Sequence, residues 1–462
     1  MDGPRETGSN ARISYQPTDG LSYDPSEPVY WEEGALAREV TRVFEVCHGC
    51  RMCFKYCDAF PTLFGLVDEV HDGSVAGLTP HETERVMDGC FQCKLCEVQC
   101  PYTPRDGHPF QIDFPKLVHR YAAQRARREG VSLRDRMLGD PDRAARMARA
   151  SLGLANALNR VSAHRWFLEK LLGIHREKLL PDFAGETFEA WAVGAGKVRP
   201  APAEAVLFPT CYVENNAPDV GRDTVEVLER NGIDLACTRG LACCGMPAWE
   251  HGDLDTLRSG ARRSLDALEP FLDAGAKVVA INPTCSMMLR REWPELLLGP
   301  DRARAERLAP LVRDPSELLW EIRDEPRFDT GFKSAPAGDV AYHAPCHLRA
   351  QAIGFRGRDL LRKIPGVKPK PVMECCGHDG THAMTVEGFE PSARIGKKAF
   401  DGMRDQGAEI WVTDCPLAAL QFEQHAGVRP IHPMTALARA YRADGFPRRL
   451  DAAPGGGEAG AP

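Results

Sequence analysis

The sequence predicts a multidomain α+β protein, with a small helical, cysteine-rich domain followed by two pseudo-repeated α/β halves. Three observations carry this. Eight of the seventeen cysteines fall in two tight groups between Cys47 and Cys100. The stretch from about 111 to 200 has none and reads as helix. Beyond it, Cys211, Cys243–Cys244–Gly245 and Cys285 recur as Cys346, Cys375–Cys376–Gly377 and Cys415, at offsets of 135, 132 and 130 residues. A nearly constant offset across three landmarks is the mark of an internal repeat.

Taken in order, residues 1–35 are rich in Gly, Pro, Ser and acidic residues and predict a mobile arm. Residues 36–115 hold Cys47-x2-Cys50-x2-Cys53-x3-Cys57 and Cys90-x2-Cys93-x2-Cys96-x3-Cys100-Pro101. In this spacing three thiolates grip one 4Fe-4S cube and the fourth reaches the other cube. Cluster 1 would then take Cys47, Cys50, Cys53 and Cys100, and cluster 2 would take Cys90, Cys93, Cys96 and Cys57. Soft thiolates suit iron in a sulfide field, whereas four-cysteine zinc sites come as two separated pairs. Residues 58–89 read as helix and loop with no short hairpin, which predicts the α-helical ferredoxin type.

Residues 116–200 form a basic helical connector. Between Lys116 and Lys178 there are fifteen Lys/Arg against six Asp/Glu. Leu152, Ala155, Leu158, Val161, Leu168, Leu171 and Leu172 fall at helical spacing. Two readings stand: solvated helices covering a neighbouring domain, or a docking surface for an acidic partner or lipid headgroups.

Residues 201–335 and 336–445 alternate strand and helix. "AEAVLFPTC", "KVVAINPTC", "GDVAYHAPC" and "AEIWVTDCP" are apolar runs ending at a cysteine, and "GRDTVEVLERNG" and "PSARIGKKAFDGMRDQG" are helical. Alternation of this kind predicts parallel sheets with ligand groups at the carboxyl ends of the strands. The tail, 446–462, is Gly/Ala/Pro-rich and is expected to be disordered.

"YHAPCHLRAQAIG" (342–354) and "ECCGHDGTHAM" (374–384) resemble the cysteine-rich CCG domains of heterodisulfide reductase-related iron–sulfur proteins. The resemblance covers roughly residues 40–440. It implies a first CCG site of Cys211, Cys243, Cys244 and Cys285, with Met288 where family members with a complete motif place a fifth cysteine. The second site is Cys346, Cys375, Cys376 and Cys415, with Ala418 in fifth place. Four thiolates per site suit a further iron–sulfur cluster in one or both domains, with zinc or an empty site as the alternative. Gly245 and Gly377 are expected at unusual φ or close backbone approach. His343, His347, His378 and His382 crowd the second site and His251 lies near the first, all expected to hydrogen-bond to backbone or sulfur. Cys237 has no counterpart and is expected to be a buried free thiol.

The net charge of −7 gives no reason to expect nucleic acid. The N-terminus lacks the pattern of a secretory signal, and no run of about 18 apolar residues exists. The expected place is the cytoplasm, with peripheral attachment to the inner face of the membrane through a partner. There is no G-x-G-x-x-G for a dinucleotide or flavin, "GAGKVRP" lacks P-loop spacing, and "CHGC" is followed by Arg51, unlike a haem-attachment motif. The catalytic residues are unknown. Electron carriers without a hydride-abstracting site point to an electron-transfer subunit. Its donor would be a flavoprotein dehydrogenase, of a 2-hydroxy acid or glycerol 3-phosphate, or another redox protein; its acceptor would be quinone or another carrier. Disulfide reduction at a CCG site and an iron–sulfur redox sensor are the alternatives.

Overall fold

The run Ala205–Phe208 (β1) is buried at every position and is an inner strand of a parallel sheet. It pairs with Leu235–Cys237 (β2) on one side and Lys277–Ala280 (β3) on the other, and β3 pairs with Val312–Arg313 (β4). In register, Leu207 faces both Cys237 and Val279. A second parallel sheet centres on Val340–His343 (β6), also fully buried, between Lys370–Val372 (β7) and Ile410–Thr413 (β8). A short antiparallel ribbon joins Ser334–Ala335 (β5) to Arg448–Arg449 (β9). Near-continuous apolar strands are what a parallel sheet covered by helices requires.

The computed structural model describes residues 15–378 and 380–450, in two compact units. The first unit contains residues up to Cys90 and Gln99–Gln124; the second contains Phe91–Val98 and everything from Arg125. Both sheets belong to the second unit and share one core. Leu207, Leu235 and Val279 lie in the same apolar cluster as Val340, Tyr342, Val412 and Leu437. The connector helices Leu133–Gly139, Pro141–Ala150, Leu154–Leu158 and Ser162–Leu172 belong to this unit too. Their apolar stripe does not form a core: Leu152, Val161 and Leu171 are exposed, while Arg165 is buried and donates to the carbonyls of His175, Arg176 and Lys178.

The first unit is helical, with no strand among its described residues. The helix Glu33–Cys50 ends at Arg51, whose φ of +56° closes the last turn onto the Cys47 carbonyl. The helix Pro80–Asp88 starts with a reciprocal cap between Thr79 and Glu82. Phe60 packs on Phe114 at a ring separation of 4.7 Å.

Two expectations are corrected. The arm predicted over 1–35 is packed from residue 15: Tyr30 is 1% exposed, Thr18 donates to Glu39, and buried Arg120 donates to the carbonyls of Gly20 and Tyr30. A guanidinium out of water needs those carbonyls, a demand that composition alone conceals. Likewise the predicted tail is structured at its start, where Phe446 is buried and Arg448–Arg449 pairs with β5. Residues 1–14 and 451–462, with the rest of both expectations, lie outside the described residues.

Candidate iron–sulfur sites

In the first CCG site each cysteine follows the carboxyl end of a strand. After β1, Thr210 takes φ +75° and caps the short helix Cys211–Asn215. After β2, Cys243 and Cys244 run into Gly245, at φ +87°. After β3, Asn282 caps the turn holding Cys285. Cys243 and Cys211 approach to 3.5 Å between sulfurs. The Cys243 thiol lies well below its ordinary range because the Cys211 and Cys244 thiols and the Gly245 amide donate to it. The donors, Cys211 and Cys244, are correspondingly raised. Thiolate is the form that binds metal. The backbone is held from outside: Cys243 N–H donates to Asp142 at 2.8 Å, and the Trp293 indole donates to the Cys244 carbonyl at 2.9 Å.

The second site is built likewise. Cys346 opens the helix Cys346–Ala350 after β6. Cys375 and Cys376 lead into Gly377, at φ +73°, whose amide donates to the Cys375 sulfur at 3.3 Å. Cys415 caps the helix Pro416–Ala426, its sulfur accepting from the Ala418 amide at 3.4 Å. The residue that replaces the fifth cysteine therefore still serves this site, through its backbone. Met288 is fully buried in the turn after Cys285.

The two sites face one another. Cys211, Cys243, Cys244 and Cys285 of the first, and Cys346, Cys376 and Cys415 of the second, line one cavity of about 70 Å³, walled by Met246, Pro247, Leu417 and Ala418. Among the described residues, no three His, Cys, Asp or Glu side chains close as tightly as a single metal ion requires. The fit to iron–sulfur clusters is one of donor chemistry: soft sulfurs, apolar walls and backbone amides aimed at sulfur.

Most of these histidines contact other protein groups. His343 bonds to Thr413 Oγ1 and the Glu374 carbonyl, both at 3.0 Å, and burial lowers its pKa to about 4. His378 is pushed down to about 3 by burial. His251 reaches Thr381 of the other half at 2.8 Å, and His382 stacks on Phe91. His347 joins three cysteine-bearing segments. Its Nε2 donates to the Gln92 carbonyl, beside Cys93, and its Nδ1 accepts from Thr284, beside Cys285, both at 2.9 Å, while it is itself beside Cys346. Cys237 is buried in β2, its thiol pushed up to about 12 by burial.

In the first unit Cys47, Cys50, Cys53 and Cys100 come together across the chain. Burial raises the Cys47 thiol, with Cys53, Cys100 and Cys50 adding to it, and pushes Cys53 to about 12. Tyr102 N–H donates to the Cys100 sulfur at 3.4 Å. Of the other group, Cys57 and Cys90 lie in the first unit and Cys93 and Cys96 in the second. Residues 91–97 are buried within the second unit: Lys94 pairs with Glu292, and Glu97 with Arg291. Gln92 and Lys94, flanking Cys93, both take positive φ. Sequence reasoning missed these partners, and missed Asp142, because no spacing rule links residues so far apart in the chain.

The fold and the paired thiol sites define an iron–sulfur protein of electron transport with two cysteine-rich domains. The model of the CCG cysteine-rich domain matches residues 205–290 and 340–423. The chain belongs to the heterodisulfide reductase-related iron–sulfur proteins that carry two CCG domains. It is 28% identical over 406 residues to a subunit of the anaerobic glycerol-3-phosphate dehydrogenase of Escherichia coli, covering 86% of this chain and 98% of that protein. It is 25% identical to the glycolate oxidase iron-sulfur subunit of the same organism, covering 76% and 84%. With lactate utilization protein A of an Exiguobacterium species it shares 30% identity, covering 45% and 83%.

Proposed function

We propose that this chain is the iron–sulfur electron-transfer subunit of an oxidoreductase, accepting electrons from a flavoprotein dehydrogenase and passing them to quinone or another acceptor. The observation that carries this reading is the cavity lined by seven cysteines of both CCG sites. Cys47, Cys50, Cys53 and Cys100 would hold one 4Fe-4S cluster, and Cys90, Cys93, Cys96 and Cys57 the second, the latter on spacing alone. Each CCG set offers four thiolates for a further cluster. When bound, such clusters supply one-electron carriers. The chain's own part is to present thiolates, exclude water with apolar walls, and offer amide donors to sulfur.

The relatives' names, which include a dehydrogenase subunit and an oxidase iron–sulfur subunit, support a flavoprotein donor. Peripheral membrane attachment is part of the same reading. Nine exposed large apolar side chains fall between Leu133 and Leu171, Trp166 and Phe167 among them, in the basic connector. That is the composition of an interfacial surface. No helix among the described residues is long and apolar enough to cross a membrane.

The test is anaerobic purification of the native protein with its partners, followed by iron and sulfide analysis. A copurifying flavoprotein, and more than about eight iron per chain, the content of two 4Fe-4S clusters, are expected. Isolation with no other redox protein would overturn the reading.

A further inference from the structure

Asp142 lies behind the first CCG site and the ammonium of Lys178 behind the second. Behind the first, the Asp142 carboxylate accepts the Cys243 amide at 2.8 Å, and Asp140 also acts on that thiol. Arg263 approaches Asp142 only to 4.0 Å and is half exposed, so water screens it. Behind the second lies Lys178, 3% exposed. Its ammonium donates to Gln421 Oε1 at 2.5 Å, Gln421 Nε2 donates to Ser392 Oγ at 2.9 Å, and Ser392 donates to the carbonyl of Gly377, the residue after Cys375–Cys376. The partner of this buried cation is thus a neutral amide, and an ammonium out of water demands an anion. Cys376, the residue before Gly377, is the cysteine its charge acts on. The imidazoles of His378 and His425 also face Lys178.

We propose that Lys178 is the counter-charge of the second CCG site and that Asp142 disfavours added negative charge at the first. Were both thiol sets to hold clusters, the Cys346–Cys375–Cys376–Cys415 set would favour the reduced state more than its counterpart does. A nearby cation stabilises the more negative, reduced state, and a carboxylate opposes it. An electron passing between such clusters would oxidise the first by one and reduce the second by one. The ultimate donor and acceptor are the reduced flavin and the quinone of the proposed function, on which this inference rests. Lys178 is a positioning residue, acting through Gln421, Ser392 and its field.

The test uses the full chain with Lys178→Met, Lys178→Gln, Lys178→Arg or Asp142→Asn, prepared anaerobically, with iron and sulfide measured first. Lys178→Gln keeps an N–H for Gln421, and carries the same expectation if the Met variant fails to fold. Where iron exceeds about eight per chain, EPR-monitored redox titration decides. The second-site signal should fall by about 59 mV, a tenfold change in its one-electron equilibrium, in the Met and Gln variants. It should return with Arg, and Asp142→Asn should raise the first-site signal. Where iron stops at about eight per chain, the Cys376→Ala variant decides: if it loses no EPR signal, the unequal poise of the two CCG sets is overturned. Unchanged potentials in the Lys178 variants would overturn the role of Lys178.

Discussion

Gly377 and Gly245 follow equivalent cysteine pairs, yet a Cβ would meet different obstacles. At Gly377 it would lie 2.1 Å from the Ser392 carbonyl oxygen; at Gly245 it would lie 2.9 Å from the Leu257 side chain. Both residues are left-handed, which costs a non-glycine residue about 1–3 kcal/mol. Gly245→Ala should cost about that much in urea denaturation. Gly377→Ala should cost more and empty the second site, because a helix carbonyl cannot yield as a side chain does. Asp314 supplies a pH prediction at the same scale. Burial pushes its carboxyl up to about 7 from 3.8, against the pull of Arg290. Between those values the folded state keeps a proton that the unfolded state has lost. Its contribution therefore falls as pH rises through that window, and is level above it. Asp314→Asn removes the slope. Its melting temperature should gain on the native protein between about pH 5.5 and 7.5, and equal gains across that range would refute the assignment.

The element that matters most is the segment Phe91–Val98. It carries Cys93 and Cys96, and the second unit holds it by Lys94–Glu292, Glu97–Arg291 and the bond from His347 to the Gln92 carbonyl. The Lys94–Glu292 pair has side chains 0% and 3% exposed, so breaking it leaves a buried charge uncompensated. Glu292→Gln should cost about 3–5 kcal/mol in stability. The double replacement Lys94→Met, Glu292→Leu should recover most of that loss. A double variant as unstable as the single one would show that the pair is needed for more than its charge balance. Removing the imidazole with His347→Phe frees the Gln92 carbonyl. Hydrogen exchange should then accelerate across the segment, while the helix Glu33–Cys50 of the first unit keeps its protection.

For the whole molecule, the question is whether its thiol sets behave as separate centres. Cys47, Cys50, Cys53 and Cys100 gather in the first unit, and seven of the CCG cysteines line a cavity in the second. Cys47→Ala and Cys376→Ala should therefore remove different EPR signals. Each should lower iron by about four per chain or fewer, the content of one 4Fe-4S cluster. Loss of a common signal from both variants would contradict two independent sites.

Much of this was written in local spacing. The two C-x2-C-x2-C-x3-C groups, the doubled cysteine–cysteine–glycine turns and the apolar runs ending at cysteines are patterns within a few residues of each other. Such patterns specify thiol-rich turns at strand ends because ladder pairing and tight turns are short-range consequences of side-chain period and of glycine's freedom at positive φ. Family and donor chemistry follow from them. Only the tertiary structure decided what lies behind and between those turns. It set both CCG sites on one cavity, packed residues 15–35 and 446–450 against distant partners, and buried Lys178 behind one site and Asp142 behind the other. These are contacts between residues tens to hundreds of positions apart. Burial and charge depend on what the folded chain brings near, and that is a property of packing, not of spacing.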